Sequence, residues 1–210
     1  MSAALERLGR RFARFVTTSV VAWPGLWRLL RRPLLSQFQR LAPVWDQRRG
    51  PETLIPLGAA LDRLDTPPQR IVDLGTGTGA AARVVARRFP EATVVGVDLA
   101  PRMVEEARAL LPGDLAGRVR YEVGDASSLG VDPGAFDLVV LLNMIPFFEE
   151  LTRVTAPGGT VIFAFSSGPE TPIYVPTEKL RERLEPLGFV GFEEVAAGPG
   201  TAVLARRLEP

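Results

Sequence analysis

The residues with the means to do chemistry in this chain are glycines and acids. Positions 71–79 read Ile-Val-Asp-Leu-Gly-Thr-Gly-Thr-Gly: an apolar run ending in Asp73, then Gly75, Gly77 and Gly79 alternating with Thr76 and Thr78. A helical pattern over 80–89 follows at once. Strand, tight glycine turn and helix start form a ligand cradle. Glycine takes positive φ and lets a ligand reach the main chain, and the first turn of a helix offers free N–H groups and a positive dipole end. A second acid, Asp98, falls 19 residues after Gly79 at the end of another apolar run, Ala92 to Val97. A nucleotide-binding α/β fold places an acid there to accept from both ribose hydroxyls. Histidine and cysteine are absent from all 210 residues. That argues against a hydrolase triad, thiolate chemistry and a His-ligated metal, so proton transfer falls to Asp, Glu, Tyr, Lys or water.

The elements that must position these residues alternate in type. Strands are predicted to end at Leu74 and Val97 and to span 119–123, 136–142 and 160–165. Helices are predicted between them, over 80–89, from Pro101 and over 147–155. Residues 177–187 read as a last helix capped by Thr177, and 189–195 with 201–206 as a hairpin across Gly198-Pro199-Gly200. The run Phe136 to Leu142 is apolar apart from Asp137, as a strand covered on both faces should be. The expected fold class is α/β: a doubly wound, seven-stranded, mostly parallel sheet with a C-terminal antiparallel hairpin and an N-terminal helical extension.

The order D-x-G-x-G-x-G departs from the G-x-G-x-x-G of dinucleotide-binding loops. It resembles the first motif of class I S-adenosylmethionine-dependent methyltransferases. Further likenesses join it: Gly124-Asp125-Ala126 after the third strand, Pro157-Gly158-Gly159 before the fifth, and Phe38 to Asp46, similar to the F-D-x-x-A-x-x-Y-D segment of ubiquinone/menaquinone-biosynthesis-type methyltransferases. The resemblance covers roughly residues 38–206. It implies S-adenosyl-L-methionine as cofactor, held by Asp73, Gly75, Thr76, Gly77, Gly79, Asp98, Leu99, Met103, Asp125, Ala126 and Asn143. Leu99 and Met103 would pack on adenine and Asp125 would accept from its amino group. Gln39 and Trp45 stand where the family has Asp and Tyr, so Trp45 can wall the sulfonium site, by cation–π attraction, but cannot act as a base.

Such a reaction needs few catalytic side chains, since the cofactor carries an activated methyl. A neutral phenol or amine acceptor would want a base, and Asp46, Glu149 and Tyr174 are the candidates by location, with Asp46 and Tyr174 preferred. Trp45 and Phe147 are expected in a greasy pocket for a small, apolar or lipid-like acceptor, with Trp23, Trp27, Phe148 and Tyr174 also available to it, and 166–176 is the expected lid. Asn143-Met144-Ile145-Pro146-Phe147 lacks the N-P-P-Y order of base-amine methylation, and no basic patch with interleaved aromatics occurs in the body, which argues against nucleic acid. The competing class is a non-catalytic S-adenosylmethionine-binding protein.

Charge is unevenly spread. Residues 1–49 hold ten arginines against Glu6 and Asp46, a net +8, so within a total of +1 the remainder carries −7. Leu5, Leu8, Phe12, Phe15, Val16, Val20 and Trp23 recur at helical spacing beside Arg7, Arg10, Arg11 and Arg14, which predicts a basic amphipathic helix. A short second segment is predicted to end at Pro33. The uncharged stretch between Arg14 and Arg28 is 13 residues. As helix that covers about 20 Å against about 30 Å of hydrocarbon, too little to span. The boundaries expected are a cap over 1–50 and a cofactor-binding domain over 51–210. Two readings of the arm stay open: it packs on the body and roofs the site, or it lies on an anionic membrane surface. A cytoplasmic chain, peripheral at the inner membrane face under the second reading, is expected.

Overall fold

The structure, a computed structural model, describes residues 3–42, 45 and 50–209. Two helices come first, α1 (Ala3–Ala22) and α2 (Trp27–Leu41), joined by a 3-10 turn at Pro24–Leu26. Pro33 lies inside α2 and does not end it. The expectation fails there because Trp27 and Leu34, on either side of the proline, are both buried under the same helix. Packing of that face holds the helix through a residue that local propensity disfavours. A 3-10 turn (Pro51–Leu54) and α3 (Ile55–Leu61) then lead into the sheet.

The strands are β1 (Arg70–Leu74), β2 (Thr93–Asp98), β3 (Val119–Val123), β4 (Phe136–Leu142), β5 (Thr155–Phe165), β6 (Phe189–Ala197) and β7 (Gly200–Arg207). The helices among them are α4 (Ala80–Arg88), α5 (Pro101–Ala109), α6 (Phe148–Val154) and α7 (Thr177–Leu184). They form one seven-stranded sheet in the order β3-β2-β1-β4-β5-β7-β6. The first five strands run parallel, and β7 inserts antiparallel between β5 and β6. The expected architecture is what forms. Two local details differ. Pro157-Gly158-Gly159 lies within β5, beside a register shift against β4, rather than ahead of the strand. Thr177 begins α7 but does not cap it, because its hydroxyl donates to Glu194.

Alternation along each strand feeds two cores. Val72, Val139, Val161 and Phe163 face one side, packed with Val16, Val20, Trp27 and Leu34 of the arm and with Leu151 and Leu180. Ile71, Val94, Leu138 and Val140 face the other, under Leu57, Val85 and Val104 of α3, α4 and α5. The arm therefore occupies a layer of the sandwich. Chain order reverses between β1 and β4, since β2 and β3 lie on one side of β1 and β4 on the other. The carboxyl ends of the strands at such a switch point form the crevice where open α/β sheets bind ligands.

Candidate functional site

At that crevice, β1 delivers Asp73 into a fully buried position. Its Oδ2 accepts from Thr76 Oγ1 at 2.6 Å and from the Ala82 N–H at 3.1 Å. Its Oδ1 is sealed from solvent and has no hydrogen-bond partner. Burial pushes the carboxyl up to about 7, against the pull of those two donors, and the nearby Asp98 charge adds to the rise. A buried acceptor without a donor is costly.

The loop above it is shaped by its glycines. Gly77 has φ +55°, and a Cβ there would come within 3.4 Å of Trp45 Nε1, narrowing the space between loop and arm. Gly79 starts α4 at φ +80°, and a Cβ there would collide with the Tyr121 phenol. Asp98, at the end of β2, accepts from the Gly77 N–H at 2.9 Å through Oδ2 and from the Ala100 N–H at 2.8 Å through Oδ1. Each oxygen keeps a lone pair for a further donor. Burial raises its pKa and the two backbone donors hold it back.

One cavity of about 300 Å³ joins these groups. Asp73, Gly75, Thr76, Gly77, Asp98, Leu99, Met103, Ala126 and Asn143 line it, and all belong to the expected cofactor set. Asn143 sits in the left-handed region at φ +53°. Its side chain closes the ends of β4 and β5 by pairing with Ser166, donating to Oγ and accepting from N, each at 2.9 Å. The opposite wall is apolar and comes from the arm: Trp27, Leu34, Leu35, Phe38 and Trp45, with Phe38 and Trp45 edge to face at 5.5 Å.

The other expected residues lie elsewhere. The Asp125 side chain is outside the lining although its neighbours Gly124 and Ala126 are in it. Trp27 Nε1 donates to its two oxygens at 2.9 and 3.1 Å and Arg31 to Oδ2 at 3.1 Å. Burial acts to raise its pKa, but the bonds from Ser127, Trp27 and Arg31 outweigh it and hold the group below the usual carboxylate range. Phe147 is buried against Trp27, ring centroids 5.2 Å apart, and is not in the lining. Tyr174 stacks edge-on to Phe165 at 5.0 Å, and its neighbour Ile173, not Tyr174, reaches the cavity. Burial and the charges of Glu194 and Glu178 push its phenol up. Glu149 is exposed, 3.6 Å from Arg183. Asp46 lies outside the described residues. Sequence reasoning missed Leu54, Met144 and Ile173 as lining residues. Trp27, an aromatic that the amphipathic arm offers to the pocket, does line it.

The expected lid is fastened rather than free. Arg10 donates to the Glu170 carbonyl at 2.8 Å, and Arg14 to the carbonyls of Pro169 at 2.8 Å and Thr171 at 3.1 Å.

Comparison with known proteins agrees with this geometry. The family profile described as a methyltransferase domain matches residues 71–159. The chain is 40% identical over 111 residues to a malonyl-acyl-carrier-protein O-methyltransferase of Halorhodospira halophila, a match covering 50% of this chain and 37% of that protein. It is 40% identical over 107 residues to a demethylmenaquinone methyltransferase of Thermus thermophilus, covering 47% and 48%. The matched region thus spans less than half the length of either relative. A chain in the solved complex of the Trm112 methyltransferase activator with a methyltransferase of Haloferax volcanii superposes with TM-score 0.69 at 20% identity, over 82% of this chain and 98% of that one, a likeness of fold alone. With the glycine loop, the two acids and the strand order in place, residues 71–159 match a methyltransferase domain of the class I, S-adenosylmethionine-dependent kind.

Proposed function

We propose that the protein transfers a methyl group from S-adenosylmethionine to a small, apolar acceptor. One observation carries the reading: a single cavity holds a buried acid with an unsatisfied oxygen, a second acid with spare lone pairs and an aromatic wall. The residues fit the cofactor's three ends. Asp73 Oδ1 would accept from its ammonium group, Asp98 from its ribose hydroxyls, and Leu99 and Met103 would flank its base. The bound cofactor supplies a methyl already activated on a sulfonium. The chain's part is then to hold the acceptor in line and keep water out, and the wall of Leu34, Leu35, Phe38 and Trp45 is suited to both. Positioning suffices for a carbon or carboxylate nucleophile. Of the proposed bases for a phenol or amine, Tyr174 has its proton held more tightly by its surroundings.

Incubation with radiolabelled S-adenosylmethionine and a panel of quinol-like, phenolic and fatty acceptors tests this. Labelled product with an apolar acceptor is expected. Tight binding of S-adenosylhomocysteine with no product from any acceptor would favour the non-catalytic reading instead.

A second observation concerns the arm. Leu8, Phe15, Trp23 and Leu29 are 64%, 58%, 67% and 72% exposed. The exposed Arg7, Arg11, Arg28 and Arg32 lie within one helical turn of them in sequence and have no partner among the described residues. No helix among the described residues is long and apolar enough to cross a membrane. We propose that this face lies on an anionic lipid surface from the cytoplasmic side, arginines at phosphates and Trp23 at the boundary. Cosedimentation with phosphatidylglycerol vesicles at low salt, but not with phosphatidylcholine vesicles, is the expected result. Trp23→Ser with Phe15→Ser should weaken it. Equal recovery with both lipids, or with neither, overturns the proposal.

A further inference from the structure

Asp125 follows β3 between Gly124 and Ala126, which line the same cavity as Leu99 and Met103. It is the acid that the cofactor reading assigns to the base amine, yet both its oxygens are already engaged. Oδ1 accepts from the Ser127 N–H at 2.9 Å, the Ser127 hydroxyl at 2.7 Å and Trp27 Nε1 at 2.9 Å. Oδ2 accepts from the same indole at 3.1 Å and from Arg31 Nη1 at 3.1 Å. A carboxylate offers about four lone-pair directions, and these five contacts use them. Three of the contacts come from the arm, nearly a hundred residues away in sequence. An exocyclic amine entering the slot would find no acceptor at Asp125 while α2 is seated.

We propose that Trp27 and Arg31 are positioning residues that set recognition of the cofactor's base: the seated arm and the base amine compete for the one carboxylate of Asp125. This rests on the cofactor reading above and adds to it a coupling between arm and base. A ligand needing a free Asp125 binds only that fraction of molecules in which the arm has released it, so its apparent affinity falls by that fraction. Weakening the arm's hold removes the penalty. The effect is confined to ligands that carry the amine. The hypoxanthine counterpart of S-adenosylhomocysteine, with a carbonyl in its place, has no use for the freed carboxylate.

The test is calorimetric titration of the full chain with these two ligands. Arg31→Gln changes a residue whose side chain is 43% exposed, so its fold is secure. Trp27→Phe deletes the donor and leaves a smaller aromatic ring against Phe147. Both variants are expected to bind S-adenosylhomocysteine on the order of three- to tenfold more tightly than the natural chain, with the hypoxanthine ligand changed less than about twofold. Adding Asp125→Ala to either should abolish the gain, the signature of a shared partner. Equal or weaker binding of S-adenosylhomocysteine by both variants overturns the competition and makes the arm a part that completes the site. A gain that persists without Asp125, or extends equally to the hypoxanthine ligand, also overturns it. Failure of the natural chain and every variant to bind S-adenosylhomocysteine at millimolar concentration is a different result, because it removes the cofactor reading itself.

Discussion

Asp73 is a carboxylic acid that burial keeps protonated to about pH 7, against an ordinary value of 3.8. In the unfolded chain it ionises near that ordinary value. Below it, both states are protonated and the group has no effect on stability. As pH rises from about 4 towards 7 the unfolded state loses its proton while the folded state keeps it, so stability falls across that window and levels off above it. Asp73→Asn should flatten this dependence. Denaturant unfolding of both proteins at pH 4.5 and 7.5 checks it, and an undiminished slope in the variant would refute the assignment. Ligand binding runs the other way. An ammonium beside Oδ1 favours the ionised acid, so S-adenosylhomocysteine should bind more tightly at pH 7.5 than at pH 5.5 and release a proton at the lower pH, seen by titration in buffers of different ionisation heat. The Asp98 carboxylate offers a simpler case. Asp98→Ala removes an acceptor for two hydroxyls and should weaken the same ligand on the order of a hundredfold. Asp73, Asp98 and the glycines were legible in the sequence because their spacing encodes a strand end and a helix start. The environment of Asp125 was not, since it depends on which side of a distant helix meets the sheet.

The elements show the same division. The parallel direction of the first five strands followed from alternation of type, since strands joined through helices cross over in parallel and crossovers have one hand. The apolar strand β4, broken only by Asp137, and the closing hairpin were read correctly for local reasons. Helix α2 was misjudged because the proline rule is local, whereas the helix is held by Trp27 and Leu34 against the sheet. That conflict makes a prediction. Pro33 is exposed and leaves the Leu29 carbonyl without its helical donor. Pro33→Ala should stabilise the protein by on the order of 1 kcal/mol, measured by thermal unfolding. A loss of stability would mean that the kink is needed to seat the arm. The terminal acids of α6 and the basic last turn of α4 suit their helix dipoles, and neither bears on the site.

For the molecule as a whole, the division expected near residue 50 separates charge but not packing. Val16, Val20, Trp27 and Leu34 share a core with Val72, Val139 and Phe163. Removing residues 1–42 would uncover that face of the sheet. The shortened chain is therefore expected to aggregate or lose cooperative unfolding. A monomeric, cooperatively melting fragment would restore the arm to the status of a separate module. Composition revealed the basic arm and its periodicity, but not its dual use, with one side in the core and the other towards solvent. Both demands ask for apolar residues at helical spacing, so the pattern alone could not apportion them.

The chain has three tryptophans, and the fold has sorted them. Trp27 and Trp45 line the cavity, one with its indole N–H on a carboxylate, while Trp23 stands in water. The protein thus carries its own optical gauge. Emission from the two enclosed indoles reports what happens at the mouth of the crevice, and the third supplies a constant red-shifted background that Trp23→Phe would erase. Stopped-flow mixing could then time the unseating of α2 without any label.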